Sequence, residues 1–208
     1  VSDTEGIEFE SALHYGQTVG YKNLSSMTFY DRGEMLKKVA LYLLERKKKY
    51  YELSYKTGAT HADSWVDIEG GFGTFFTYSG LAKRMLPNTP FWVDGDTQKI
   101  SANGTFLGTH ILTPSEGVSV QINAYNFPVW GMMEKLSTSL LAGVPSIVKP
   151  ATPGSYLTNA VFQDMIESGI LPEGAIQLVC GEPGNILDYV QDGDSVLFTG
   201  SANTGRKL

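Results

Sequence analysis

The sequence predicts an α/β fold: a parallel sheet with flanking helices, joined to a helical part and a projecting β arm. Three observations predict it. From residue 123 onward, short apolar runs alternate with helical patterns, the rhythm of strands connected by crossover helices. Residues 1–90 carry helical periodicity instead. Between them, residues 91–122 change to strand-like alternation, with Pro87 and Pro90 punctuating the switch. The chain therefore divides into a helical part over 1–90, a β segment with the arm over 91–122, and a β-α-β part over 123–208.

Each element has its own signal. Residues 7–19 form an amphipathic segment expected to pack on the helices that follow. Leu36, Val39, Ala40, Leu43 and Leu44 recur on one face of a helix expected over 31–49. Asp31 with Glu34 resembles a capping box at its start, and Arg46-Lys47-Lys48-Lys49 would complement its negative end as a solvated face. A second helical region over 62–85 is thinned by Gly70, Gly71 and Gly73, glycines that suit close helix packing. Asp94-Gly95-Asp96 reads as a turn or loop. Residues 106–112 and 117–122 read as strands joined by Thr113-Pro114-Ser115-Glu116. A helix over 129–142 ends at Gly143, and a buried strand follows over 146–149. Another helix runs from Ser155 to a C-cap at Gly169. A strand over 175–180, a short helix over 185–190 and a strand over 195–198 lead into a glycine-bracketed loop.

Composition narrows the function classes. The 208 residues are 42% hydrophobic and 18% charged, ordinary values for a chain that buries a core. A net charge of −6 argues against a nucleic-acid partner, which would call for a basic face. No run is long and apolar enough to span a bilayer, and Val1-Ser2-Asp3-Thr4-Glu5 is no signal peptide. The single cysteine, Cys180, excludes an internal disulfide and fits a reducing, cytoplasmic setting. His14, His61 and His110 are scattered, so neither a metal cluster nor a Ser-His-Asp arrangement is expected.

Three segments carry candidate chemistry, each where a strand ends. Gly200-Ser201-Ala202-Asn203-Thr204-Gly205 turns from a strand into a helix start, where free N–H groups suit a pyrophosphate. It matches neither the dinucleotide fingerprint nor a Walker loop. Lys149 puts a cation on a strand end before Pro150, suited to a ribose or phosphate or simply to solvent. Asn126-Phe127-Pro128 enters a helix; Asn126 suits a helix cap, or an amide donor to an oxyanion. The order of the three, strand by strand, is more specific than any one of them.

In that order, and in the longer runs Thr57 to Gly71 and Ile122 to Met132, the chain resembles the aldehyde dehydrogenase superfamily over essentially all its length. Within it, the runs are most similar to the dehydrogenase half of the bifunctional proteins of phenylacetate degradation; the semialdehyde dehydrogenases of aerobic benzoyl-CoA breakdown are a near alternative. The resemblance implies a Rossmann-like, dinucleotide-binding sheet, incomplete in this stretch, and an oligomerisation arm. It implies that Asn126 is the oxyanion-hole amide and that Lys135 takes part in proton relay. Lys149 would hold the adenosine ribose, Gly181 would lie against the adenine, and Ser201, between Gly200 and Gly205, would contact the pyrophosphate. Many NAD-preferring members carry a glutamate three residues after the lysine. Thr152 stands there in this chain, which favours or tolerates NADP over NAD.

The same resemblance puts the nucleophilic cysteine and the general-base glutamate beyond the glycine loop, in sequence that these 208 residues do not contain. Cys180 ends an apolar strand and reads as a buried structural thiol, not a substitute. Tyr125 stands where many members have tryptophan, and Gly131 and Glu134 where some have bulky channel-lining residues. The resemblance implies a parent reaction that oxidises an aldehyde, a CoA-linked semialdehyde of phenylacetate degradation, to the acid with NADP or NAD. The expected partner is a second copy of the chain, held through the arm. Rival readings are a non-catalytic dinucleotide-binding or oligomerisation module, and a reductase acting on a thioester or acyl phosphate.

Overall fold

The computed structural model describes residues 7–208; the Val1–Glu5 segment lies outside them. A helix α1 (Phe9–Tyr15) continues through a π-helical stretch, Gly16–Gly20, into α2 (Tyr21–Ser25). Then come α3 (Phe29–Leu44), α4 (Lys47–Ser54) and α5 (His61–Met85). Strands β1 (Trp92–Lys99) and β2 (Leu107–Leu112) form the arm. The remainder alternates: β3 (Ser119–Ile122), α6 (Trp130–Ala142), β4 (Ser146–Lys149), α7 (Ser155–Glu167), β5 (Ile176–Leu178), β6 (Ser195–Phe198) and the single turn α8 (Ala202–Gly205).

The four short strands β3 to β6 make one parallel sheet in the order β5-β4-β3-β6. The buried runs of β3 and β4 suit strands covered on both faces, while Ser195 and Val196 of the edge strand β6 are exposed. On one face, Leu36, Val39, Phe72, Phe75, Met132, Leu136, Leu157 and Val161 interdigitate from α3, α5, α6 and α7. On the other, Phe9 and Leu13 of α1 pack with Val118, Val120, Ile147 and Val179. A buried polar set stitches the sheet to α6: Gln121 donates to Ser146 Oγ at 3.0 Å and to Ser139 Oγ at 3.3 Å.

Several elements differ from the sequence expectation, each for a visible reason. The helix start at Asp31 moves to Thr28, whose hydroxyl accepts the Asp31 N–H while Asp31 accepts the Thr28 N–H. Asp31 is therefore the third residue of the capping box, not its first. The long helix over 31–49 is two, because Arg46 folds back on Tyr42: its guanidinium donates to the Tyr42 carbonyl at 2.8 Å and stacks 3.4 Å from the ring. The basic run thus opens α4 rather than closing α3, and it is not merely solvated. Lys47 pairs with Glu69 at 3.0 Å, and Lys49 reaches the buried Asp164, which also accepts from Tyr50. Helix α5 passes unbroken through its three glycines, capped by Thr60 and Asp63. Asp94-Gly95-Asp96 lies within β1, not in a loop, with the ladder shifted between Asp94 and Gln98. Finally, β2 and β3 do not pair; β2 belongs to the arm and β3 to the sheet. The strand expected over 175–180 shortens to Ile176–Leu178.

Candidate active site

The topology brings the three sequence segments to one edge. Register pairs Ile122 with Lys149 on one side and with Phe198 on the other. All strands run the same way, so Gly181, Lys149, Asn126 and Gly200 leave the same carboxyl edge in that spatial order. The chain builds outward from β3 through β4 to β5, then returns to place β6 on the other side of β3. That reversal between β3 and β6 is where open α/β sheets leave a crevice for ligands.

A pocket of about 290 Å³ opens in that crevice. Val66 of α5, Phe127, Trp130, Glu134 and Thr199 line it together with Asn126. Asn126 itself is exposed, and among the described residues its side chain makes no hydrogen bond. It is not the cap of α6. That position belongs to Val129, with no side-chain capping bond of its own. The orphan N–H groups are instead satisfied from outside: the buried Asp67 of α5 accepts from Val129 N at 3.0 Å and from Trp130 N at 2.8 Å. The Asn126 amide is left free toward the pocket.

Asp67 was not singled out in the sequence. The signal was present: it lies one turn before Gly70 and Gly71, on the same face of α5. Burial pushes its carboxyl up to about 6, against the pull of the two backbone donors. The folded pKa lies above the unfolded one, so the associated stability is fully present below about pH 4 and lost as the pH rises through about 6. Asp67→Asn keeps an acceptor without the charge. It should therefore be more stable than the parent at pH 7.5, by up to about 3 kcal/mol, and lose the advantage toward pH 4. Urea midpoints at both values measure this; an equal effect at both would reject it.

Lys135 lies on α6, nearly buried, and donates to the Gly131 carbonyl at 3.1 Å and to Glu134 Oε1 at 3.2 Å. Glu134 faces the pocket and Gly131 lines it, while Tyr125 points away and is 72% exposed. Lys149 is buried at its strand end, and its side chain has no hydrogen-bond partner among the described residues. Burial holds its ammonium below the usual lysine range, with Glu182 pulling the other way. Thr152 Oγ1 lies 3.5 Å from the Gly181 carbonyl, and Gly181 has φ of 105°, a left-handed position that glycine allows. Around the glycine loop, Ser201 Oγ caps α8 by accepting the Thr204 N–H at 3.1 Å. The N–H groups of Ala202 and Asn203 have no hydrogen-bond partner among the described residues. Gly200 and Gly205 both lie against the Phe198 ring, where a side chain at Gly200 would overlap it. Cys180 is buried, and burial pushes its thiol up.

These residues divide into two groups along the sheet edge. Lys149, Thr152, Gly181 and the glycine loop offer a cation, a hydroxyl and unpaired N–H groups, a donor set that fits a dinucleotide. Asn126 and Glu134 line the apolar pocket, and Lys135 stands behind Glu134 and Gly131. Among the described residues no group of His, Cys, Asp and Glu could hold a metal ion, and no helix is long and apolar enough to cross a membrane.

Comparison with known proteins gives the family and the fold. The model of the aldehyde dehydrogenase family matches residues 3–208. A 3,4-dehydroadipyl-CoA semialdehyde dehydrogenase of Aromatoleum evansii is 37% identical over 206 residues, 99% of this chain and 40% of that protein. A betaine aldehyde dehydrogenase of Bacillus subtilis is 30% identical over 188 residues, covering 88% of this chain and 36% of the relative. The chain thus spans about two fifths of the length of these relatives. Among solved structures, PnpE in complex with nicotinamide adenine dinucleotide superposes with a TM-score of 0.79 at 27% identity, over 94% of this chain and 39% of that one. Aldehyde dehydrogenase 21 of Physcomitrella patens shares the fold with a TM-score of 0.76 at 20% identity, over 94% of this chain and 40% of that one.

Proposed function

The chain belongs to the aldehyde dehydrogenase family, and on that premise we propose that it is the cofactor-binding and oxyanion-binding part of an enzyme oxidising a CoA-linked semialdehyde to the acid. The observation that carries the reading is the free Asn126 amide at the wall of an apolar pocket, one strand away from a buried, unpartnered Lys149. The substrate class rests on the A. evansii relative, whose name specifies a CoA-linked semialdehyde, and on the resemblance to the phenylacetate-degradation proteins.

In this reading the aldehyde carbon lies in the pocket, and its oxygen gains charge as a nucleophile adds. The Asn126 amide donates to that oxygen without a charge of its own to desolvate. The start of α6 does not share the task, because Asp67 already holds its leading N–H groups. Lys135 carries protons between pocket and solvent, and Glu134 orients it through their contact. Lys149 and Thr152 hold the adenosine ribose, Gly181 lies beneath the adenine, and Ser201 with the neighbouring N–H groups meets the pyrophosphate. The bound dinucleotide supplies the hydride acceptor. Cys180 takes no part: its raised thiol pKa and burial are the reverse of what a nucleophile needs.

Three measurements test the reading. Calorimetric titration of this chain with NADP and NAD should show binding of at least one; binding of neither removes the nucleotide site. A preparation confirmed by mass to end at Leu208 should form no NADPH from aldehyde, because its one cysteine is Cys180; turnover by it would overturn the assignment of that thiol. Third, Thr152→Glu places a carboxylate against the 2′-phosphate and should weaken NADP binding about tenfold or more relative to NAD. A pair of Kd values moving together would count against the placement of Thr152. Outside the site, the exposed apolar residues of the arm, among them Val93, Leu107, Ile111 and Leu112, support self-association through β1 and β2 in a cytoplasmic enzyme. A clean monomer at high concentration in ultracentrifugation would argue against that.

A further inference from the structure

We infer that Asp67 is a positioning residue for Asn126: its carboxylate, reaching across from α5, sets where the Asn126 amide stands in the pocket. The inference rests on the role proposed for Asn126. It starts from an asymmetry in how the Asn126-Phe127-Pro128 turn is held. The Asn126 side chain makes no hydrogen bond among the described residues, so none of its own fixes it. What fixes it is the backbone that follows. The Phe127 carbonyl accepts from Gly131 N at 2.8 Å, within the first turn of α6. The Pro128 carbonyl accepts from the buried Thr158 hydroxyl of α7 at 3.0 Å. Val129 N and Trp130 N both converge on one oxygen, Asp67 Oδ1. Of these restraints, only Asp67 comes from the α5 side, the side that also supplies Val66 to the pocket wall.

The packing of α5 on α6 is shaped to allow this reach. Asp67, Gly70 and Gly71 lie three and four residues apart, on one face of the helix. A Cβ at Gly70 would lie 2.5 Å from the Trp130 ring, and a Cβ at Gly71 would lie 3.1 Å from Trp130 Cα. Any side chain there forces α6 away from α5. An aspartate has a short reach, and its Oδ1 meets both N–H groups at 2.8–3.0 Å only because the glycines let the helices come this close. The two glycines that looked like mere packing relief are therefore part of the same device as the carboxylate. The bonds also have a direction. An acceptor, charged or not, is what the N–H groups need, so a neutral acceptor of the same shape should serve.

That last point separates positioning from bulk stability and supplies the test. In the full-length protein, Asp67→Ala should lower kcat about ten- to a hundredfold, the scale expected for a reacting group displaced by about an ångström. Its NADP Kd should stay within about twofold of the parent's, since Lys149, Thr152 and Gly181 lie on the other side of β3. Asp67→Asn should restore kcat to within about threefold. Should Asp67→Ala fail to fold, Gly71→Ala takes its place, with the same split between kcat and nucleotide affinity. In this 208-residue chain, amide NMR gives a readout independent of turnover. The Val129 and Trp130 N–H signals should titrate together with a midpoint near pH 6, and the Asn126 side-chain NH2 signals should move in Asp67→Ala but hold in Asp67→Asn. An active full-length protein in which Asp67→Ala leaves kcat unchanged overturns the inference while leaving the proposed function standing. A full-length protein with no aldehyde oxidation overturns the proposed function, and the NMR shifts then decide by themselves whether Asp67 places Asn126. Nucleotide affinity and kcat falling in parallel, without rescue by Asp67→Asn, would reduce Asp67 to a structural residue.

Discussion

Asn126→Ala in the full-length protein is expected to lower kcat by about two to three orders of magnitude, with little change in KM or in nucleotide affinity. The size follows from removing one donor to a developing oxyanion, typically worth about 3–4 kcal/mol. The selectivity follows from the structure. The exposed Asn126 side chain makes no hydrogen bond among the described residues, so its loss leaves no orphaned partner there and no cavity in the core. The alanine variant should accordingly keep its urea midpoint. Asn126→Asp should be worse than alanine, because a carboxylate repels the charge that the amide stabilises. Steady-state kinetics on the three proteins, with nucleotide Kd values measured beside them, checks the prediction. A rise in KM with kcat unchanged would mean that Asn126 binds the ground state and not the oxyanion.

Gly143→Ala should destabilise the fold by about 3 kcal/mol. Two costs add. Gly143 closes α6 at φ of 83°, and a left-handed conformation costs a residue with a Cβ about 1–2 kcal/mol. The new methyl would also overlap the Arg32 guanidinium and lie 3.0 Å from Pro114, and overpacking of this kind costs about 1–3 kcal/mol. Arg32 has little room to yield. It is fully buried, and its guanidinium nitrogens have no hydrogen-bond partner among the described residues. It stacks 4.5 Å from the Phe29 ring, and burial brings its pKa down to about 10. Gly169→Ala is the matched control. It has φ of 63° but no atom within 4 Å of the added Cβ, so it should show the conformational cost alone. Denaturant midpoints for the pair separate the two terms; equal losses would mean that Arg32 moves aside freely.

The elements were legible where local pattern and tertiary environment agree. Leu36, Val39 and Leu43 marked the buried face of α3, and the runs at 146–149 and 195–198 became parallel strands, the first of them buried along its length. Reading was less faithful where a side chain acts at a distance along its own helix. Arg46 looked like the basic end of one long helix, yet its bond to the Tyr42 carbonyl ends α3 and lets α4 begin. Asp94 to Asp96 had the composition of a turn, and the chain does depart from regular pairing there: Asp94 still faces His110, but the ladder resumes only at Gln98, and Gly95 takes φ of 75° within the irregularity.

Asn126, Lys149 and the glycine loop could be singled out from the linear order because each sits where a strand gives way to a turn, and that feature is written in neighbouring residues. The composition and motif order sufficed for the fold class and the family. The convergence of these residues on one edge depends on β6 returning to the far side of β3, a choice of strand order decided by partners far apart in sequence, such as Ser119 with Ser195. The same holds for Asp67. Its meaning lies in two N–H groups more than 60 residues along the chain, brought within reach by the glycines of α5. Periodicity reports which face of an element is buried; it carries no information about which distant backbone will need an acceptor there.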